Sequence, residues 1–319
     1  MNNYLSNLMQ LYYGDYYTKL VMCDWFQENE QEDLAVWMRT LLSGERKVRS
    51  VSCGYSRTTA LINEGKVIAW GKNNNNQFNF LEDLKDVVQI SCGDYHTIAL
   101  TVEGKVIGWG KNSNDQSNFL EDLKDVVQIS CGDSHTTALT NDDKVVCWGY
   151  NNYHQCDVPV DLKDVVQVSC GHSHTTALIN DGKVIAWGNN YYNQCDVPEN
   201  LKNVVQISCG VYHTTALTVE GKVVAWGNNN CNQCDVPENL KNVVQISCGF
   251  YYTTALTSNG KVIAWGNNYN NTCDVPEDLK YVVQISCGYD HTTALTNEGK
   301  VVAWGNNYHN QCNVPEEFK

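Results

Sequence analysis

Histidines recur at a spacing that invites chemistry. His96, His135, His174 and His213 stand 39 residues apart, and His291 lies two such steps further on; Arg57 and Tyr252 hold the same position in the first and sixth copies. Imidazole ligates metals and carries protons near neutral pH, so a ring of histidines is a candidate zinc site or proton relay. Distance argues against a shared ion. If each copy is a sheet, neighbouring sheets pack about 10 Å apart while zinc bonds are near 2 Å, so equivalent ring nitrogens cannot meet on one metal. The expectation is structural: each buried ring hydrogen-bonds a turn of its own repeat.

Two further patterns have chemical readings. Cys231-Asn232-Gln233-Cys234 has the C-x-x-C form, but Cys234 is a repeat cysteine, equivalent to Cys156, Cys195, Cys273 and Cys312, so only Cys231 is new. Neither a second pair nor a redox context accompanies it. The Trp-Gly tryptophans from Trp70 to Trp304 could stack a ligand, yet their regular strand position fits packing between repeats better. No nucleophile, base and orienting group fall together. The expectation is a protein without catalytic, metal or cofactor residues.

These residues belong to an array. Ser-Cys-Gly cysteines fall at Cys53, Cys92, Cys131, Cys170, Cys209, Cys248 and Cys287, with no residue gained or lost between copies. Such a period signals a solenoid or propeller. Within one copy, VVQIS, TTALT and KVVAW are short β-branched runs. A Glu-Gly, Asp-Gly or Asn-Gly turn separates the second from the third in six copies, and Asp142-Asp143 must meet the same demand without glycine. Three antiparallel strands follow, then a return loop with a short fourth edge strand expected near Cys234-Asp235-Val236. Alternation in KVVAW makes both faces apolar, so each sheet must be covered twice. The fold expected is all-β, a seven-bladed propeller over residues 47–319. Residues 1–46 carry helical spacing at Tyr4, Leu5, Leu8, Met9 and Tyr12 and are expected to form a small helical unit.

The pattern S-C-G-x-x-H-T-T-A-L-T-x-x-G-K-V-x-A-W-G-N-N resembles the regulator of chromosome condensation (RCC1-type) repeat in its short form. The resemblance implies a seven-bladed propeller, and the short blade is nearer to the propeller inhibitor of β-lactamases than to the Ran exchange factor. The family's exchange activity uses a β-wedge inserted in one blade; a strict 39-residue step leaves no room for one. The segment from Leu20 to Glu28 resembles a repeat-companion domain that precedes arrays in some bacterial and viral proteins.

The formal charge is -14, with 36 acidic against 22 basic residues. Nucleic-acid binders usually carry a basic face, so a phosphate-held partner is disfavoured. No apolar run approaches a membrane span, and no signal peptide opens the chain; a cytoplasmic protein, or a virion component packaged from host cytoplasm, is expected. Of the 15 cysteines, 12 sit at two repeat positions in a chain too long to need staples, which favours reduced thiols.

Positions that differ between copies are free to serve function. They cluster in the turn after Cys-Gly and in the loop after the third strand, which strand parity places on one face. The candidate partner-binding residues are Tyr55, Tyr95, His172, Tyr212, Phe250, Tyr251 and Tyr289 from the turn, and Tyr153, Tyr192, Tyr269 and Tyr308 from the loop. Rigid aromatics among small polar groups resemble a protein-binding surface. The partner expected is another protein, or further copies of the chain in a large assembly such as a giant-virus particle.

Overall fold

The computed structural model describes residues 47–78, 84–118, 120 and 122–319. The expected helical unit, and the companion-domain resemblance, lie outside the described residues. The rest is seven three-stranded antiparallel sheets, one per copy. The first comprises Val48–Cys53, Arg57–Ile62 and Val67–Gly71, and the last Val282–Cys287, His291–Thr296 and Val301–Gly305. No fourth strand forms at Cys234-Asp235-Val236; that stretch is turn and coil. There the Cys234 amide bonds the Asn229 side chain and the Val236 amide bonds the Cys234 carbonyl, so its backbone is satisfied locally.

The first strand of each blade is innermost, and its Cys-Gly end lines a central cavity of about 100 Å³. The middle strand is buried along its length, as His213–Thr218 shows. The outer strand alternates, with Val223 and Trp226 buried on opposite faces. Each face therefore packs on a neighbouring blade, and the clusters confirm it: Leu178, Val184, Val204, Ile207, Ala216 and Trp226 join blades four and five.

Polar side chains also stitch blade to blade. Each inner strand sends a serine to the next blade's backbone, and all but the first, where Ser50 stands instead, send a glutamine as well; Gln167 Oε1 accepts from the Ile207 amide at 2.7 Å and Ser169 Oγ from the Cys209 amide at 3.1 Å. The ring closes with the same bonds. The Val51 amide donates to Gln284 Oε1 at 3.0 Å, the Cys53 amide to Ser286 Oγ at 3.0 Å, and Trp70 Nε1 to the Gln311 carbonyl at 3.0 Å. Phe318, near the C-terminus, packs on Trp70.

The histidines complete each boundary. His135 Nε2 lies 3.0 Å from Thr175 Oγ1 in the next blade. The Thr175 hydroxyl donates to the Gln155 carbonyl, which also accepts from Trp187 Nε1. With its hydrogen committed, the threonine oxygen accepts, so Nε2 carries the histidine proton. The sequence reading had each ring bonding its own repeat. The bond instead crosses to the next blade, because the start of the middle strand faces the neighbour rather than the turn. Arg57 and Tyr252 make the same crossing, Arg57 to the carbonyls of Gly93, Asp94 and His96, and Tyr252 to that of His291. The Cys-Gly glycine gives the ring its room: a Cβ on Gly210 would collide with the His213 imidazole and the Gly249 carbonyl.

Candidate functional site

Strand register places both variable loops at one end of the ring. Cys53 pairs with Thr58, and Arg57 with Gly71, so the inner turn and the exit of the outer strand are neighbours. This end is the top face, at the mouth of the central cavity.

The inner-turn aromatics form a continuous belt there. Tyr95 stacks on Tyr55 at 5.9 Å between centroids, Tyr55 meets Tyr289 at 4.3 Å, and Tyr289 stacks on Phe250 at 3.9 Å. Phe250 meets Tyr251 at 3.9 Å, Tyr251 meets Tyr212 at 5.8 Å, and Tyr212 meets His172 at 5.9 Å. All seven inner candidates are thus joined, across blades two, one, seven, six, five and four. Of the outer candidates only Tyr192 joins them, 5.0 Å from Tyr212. Tyr153 packs on Tyr150, while Tyr269 and Tyr308 are 89% and 86% exposed, Tyr308 edge-on to His309, and Tyr191 is 82% exposed and edge-on to Tyr192 at 4.9 Å. Tyr191 is not among the candidates read from sequence, because adjacent loop residues cannot be ranked for exposure without the fold.

Lys72 and Lys111 cap the rings of Tyr55 and Tyr95 at 5.6 and 5.0 Å. Such contacts help to hold the two rings in place. Burial raises the Tyr55, Tyr212 and Tyr251 phenols above their ordinary value. They are neutral hydrogen-bonding groups at physiological pH.

The belt is broken at blade three, where Asp133 takes the place of an aromatic residue. Asp133, Asp94 and His172 converge in this gap, with a ligand atom from each within 4.8 Å of the others. Burial, followed by the neighbouring Asp133 carboxyl, raises Asp94 to about 8, against the pull of Arg57. Sequence reasoning placed His172 in the belt and missed the two aspartates as a group. The signal was present: the residue after Cys-Gly is Asp, Asp and His in three successive copies.

No arrangement in the belt resembles an enzyme's. The His–Thr pairs have the spacing of a base and its nucleophile, but both partners are fully buried and substrate cannot reach them. Burial holds His96, His135, His174, His213 and His291 neutral, at about 3. Burial also raises the Cys53 and Cys131 thiols to about 12, so these two stay protonated. The fourteen cysteines among the described residues are free, Cys231 and Cys234 included.

Comparison with known proteins agrees with this geometry. The RCC1-like domain matches residues 79–318, and the regulator of chromosome condensation (RCC1) repeat matches residues 48–77. The chain belongs to the RCC1-like domain family. Curated protein sequences give no match. Among solved structures, the RCC1-like chain is similar to human WBSCR16, at 23% identity and a TM-score of 0.65, covering 79% of this chain and 88% of that one. Prp20p of Saccharomyces cerevisiae, which binds Gsp1p and histones, is 19% identical with a TM-score of 0.67, covering 80% and 83%. The CRINKLY WD40 ectodomain of the Arabidopsis thaliana receptor kinase ACR4 is 19% identical with a TM-score of 0.68, covering 82% and 98%. These identities establish a shared fold. Among the described residues every RCC1-like blade has the same three strands, and no helix is long and apolar enough to cross a membrane.

Proposed function

We propose that this RCC1-like propeller is a non-enzymatic scaffold that binds a protein partner through its top face. The observation that carries the reading is the aromatic belt: rings from six blades meet in stacked or tilted contacts around one channel mouth. Partly exposed tyrosines of this kind offer large rigid contact area at low conformational cost, with hydroxyls available for hydrogen bonds. Protein binding by Prp20p, which shares the fold, supports the same use of a propeller. The acidic total favours a neutral or basic partner surface.

The test is a pull-down from native extract with two variants. One replaces Tyr95, Tyr212, Phe250, Tyr251 and Tyr289 with alanine, and the other replaces the solvent-facing Tyr191, Tyr269 and Tyr308, which keeps every ring contact among the inner-turn residues and removes only the edge contact of Tyr191 to Tyr192. Loss of the same captured proteins in both, with native-like melting in the second, is the expected result. Partners retained by both variants would sink the face assignment. Assembly of the purified native protein into large particles, undisturbed by either variant, would favour a structural building block instead.

A further inference from the structure

We propose that Asp94, Asp133 and His172 form a binding site for one divalent first-row transition cation at the mouth of the central channel. The three residues occupy one register position in blades two, three and four, the first after Cys-Gly. The 10 Å spacing that keeps the buried histidines apart does not apply here. Inner strands converge toward the axis, so side chains from three blades meet.

The geometry is close to that of a bound ion. Oxygen and nitrogen ligands bind such cations at about 2.0–2.2 Å, so ligand atoms on opposite sides of a metal stand roughly 4.2 Å apart. The three donor atoms already lie within 4.8 Å of one another. Small side-chain rotations close the difference. Among the described residues no other set of three such groups comes this near.

The imidazole is oriented for the task. His172 Nδ1 is 2.8 Å from Ser173 Oγ, which leaves Nε2 directed at the carboxylates, 3.6 Å from Asp133 Oδ2. A hydrogen bond on the non-ligating nitrogen is the usual outer support of a metal-binding histidine. Ser134 Oγ, 3.2 Å from Asp133 Oδ2, steadies the carboxylate in the same way.

The nearest fixed cation does not reach either carboxyl group. Arg57 spends its guanidinium hydrogens on the carbonyl oxygens of Asp94, Gly93 and His96 at 2.8, 2.9 and 2.6 Å. Two hard oxygens, one imidazole and no thiolate suit Mn²⁺, Fe²⁺, Co²⁺ or Zn²⁺ rather than Cu⁺. Coordination positions beyond these three ligands face the cavity, open to water or to a donor atom from a docked protein.

Manganese is the probe of choice, because it favours oxygen and imidazole over the chain's many thiols. Electron paramagnetic resonance of Mn²⁺ with the full chain should show one bound ion. Affinity should fall at least about tenfold in Asp133→Asn and in His172→Gln, and stay unchanged in Asp290→Asn on the same rim. Selective broadening of the His172 imidazole in nuclear magnetic resonance gives a second readout in unmutated protein. No binding at millimolar Mn²⁺, or equal affinity in all variants, would overturn the proposal and leave His172 and Asp133 as a polar contact of the rim. The site stands apart from the protein-binding reading: metal affinity should survive the Tyr191, Tyr269 and Tyr308 replacements even if partner capture does not.

Discussion

His213 Nε2 lies 2.9 Å from Thr253 Oγ1, across the boundary between the fifth and sixth blades. The other imidazole nitrogen, Nδ1, has no hydrogen-bond partner and sits against the Gly210 backbone. A second proton would therefore be buried with nothing to receive it. That cost explains why burial lowers His213 from 6.5 to about 3.

Acid should loosen the ring through these boundaries. The folded state keeps its five buried histidines neutral down to about 3, whereas the unfolded chain takes up protons near 6.5. Between those values the unfolded state binds more protons, so the stabilisation is complete above pH 6.5 and is lost as pH falls toward 3. Each histidine contributes a slope of up to about 1.4 kcal/mol per pH unit. Thermal melts should be level near neutrality and fall steeply below pH 6. His213→Tyr, which copies the residue at Tyr252, removes one titrating boundary and should flatten that fall. An acid limb as steep in the variant as in the parent would refute the assignment.

Among the described residues no peptide segment links blade seven directly to blade one, whereas a connecting loop crosses every other boundary. Gln284 Oε1 accepts from the Val51 amide at 3.0 Å and its Nε2 donates to the Val51 carbonyl at 3.3 Å. Gln245 makes the equivalent pair with Ile285 one boundary earlier, at 2.8 and 3.1 Å. Removing either leaves two backbone groups unpaired, a loss of about 1–3 kcal/mol. At the seam no linking peptide segment adds its effective concentration to these bonds and to those of Ser286, Gln311 and Phe318. Gln284→Ala should therefore lower the denaturant midpoint more than Gln245→Ala and speed hydrogen exchange at Val51 and Cys53. Equal effects would mean that the ring does not open at its seam.

Fold was legible because the array repeats its own evidence. The constant glycines, the β-branched runs and the two apolar faces of KVVAW each force a choice, and seven copies agree. The histidine role was half legible: burial was implied, but the identity of the bonding blade depends on where the middle strand begins relative to its neighbour, which no single copy encodes. The top face was legible through parity, since three strands return both variable loops to one end. The Asp94, Asp133 and His172 group was hidden for a different reason. Its members are 39 residues apart, and only the convergence of inner strands at the axis brings them together.

Asp143 offers the last and most local test. It has φ of 62°, the left-handed conformation that glycine supplies at Gly65, Gly104, Gly182, Gly221, Gly260 and Gly299, where φ runs from 69° to 83°. Its amide closes the hairpin on the Thr140 carbonyl at 3.1 Å, so the turn forms despite the side chain. A Cβ in this region costs up to about 1–2 kcal/mol, less for aspartate than for most residues. Glycine would relieve that cost while giving back roughly 0.5–1 kcal/mol through the looser unfolded chain. Asp143→Gly should therefore raise stability modestly, by about 0.5 kcal/mol, without touching the top face or the Lys144–Asp142 ion pair. A denaturant midpoint that falls instead would show that the aspartate side chain stabilises this turn by more than its backbone strain costs.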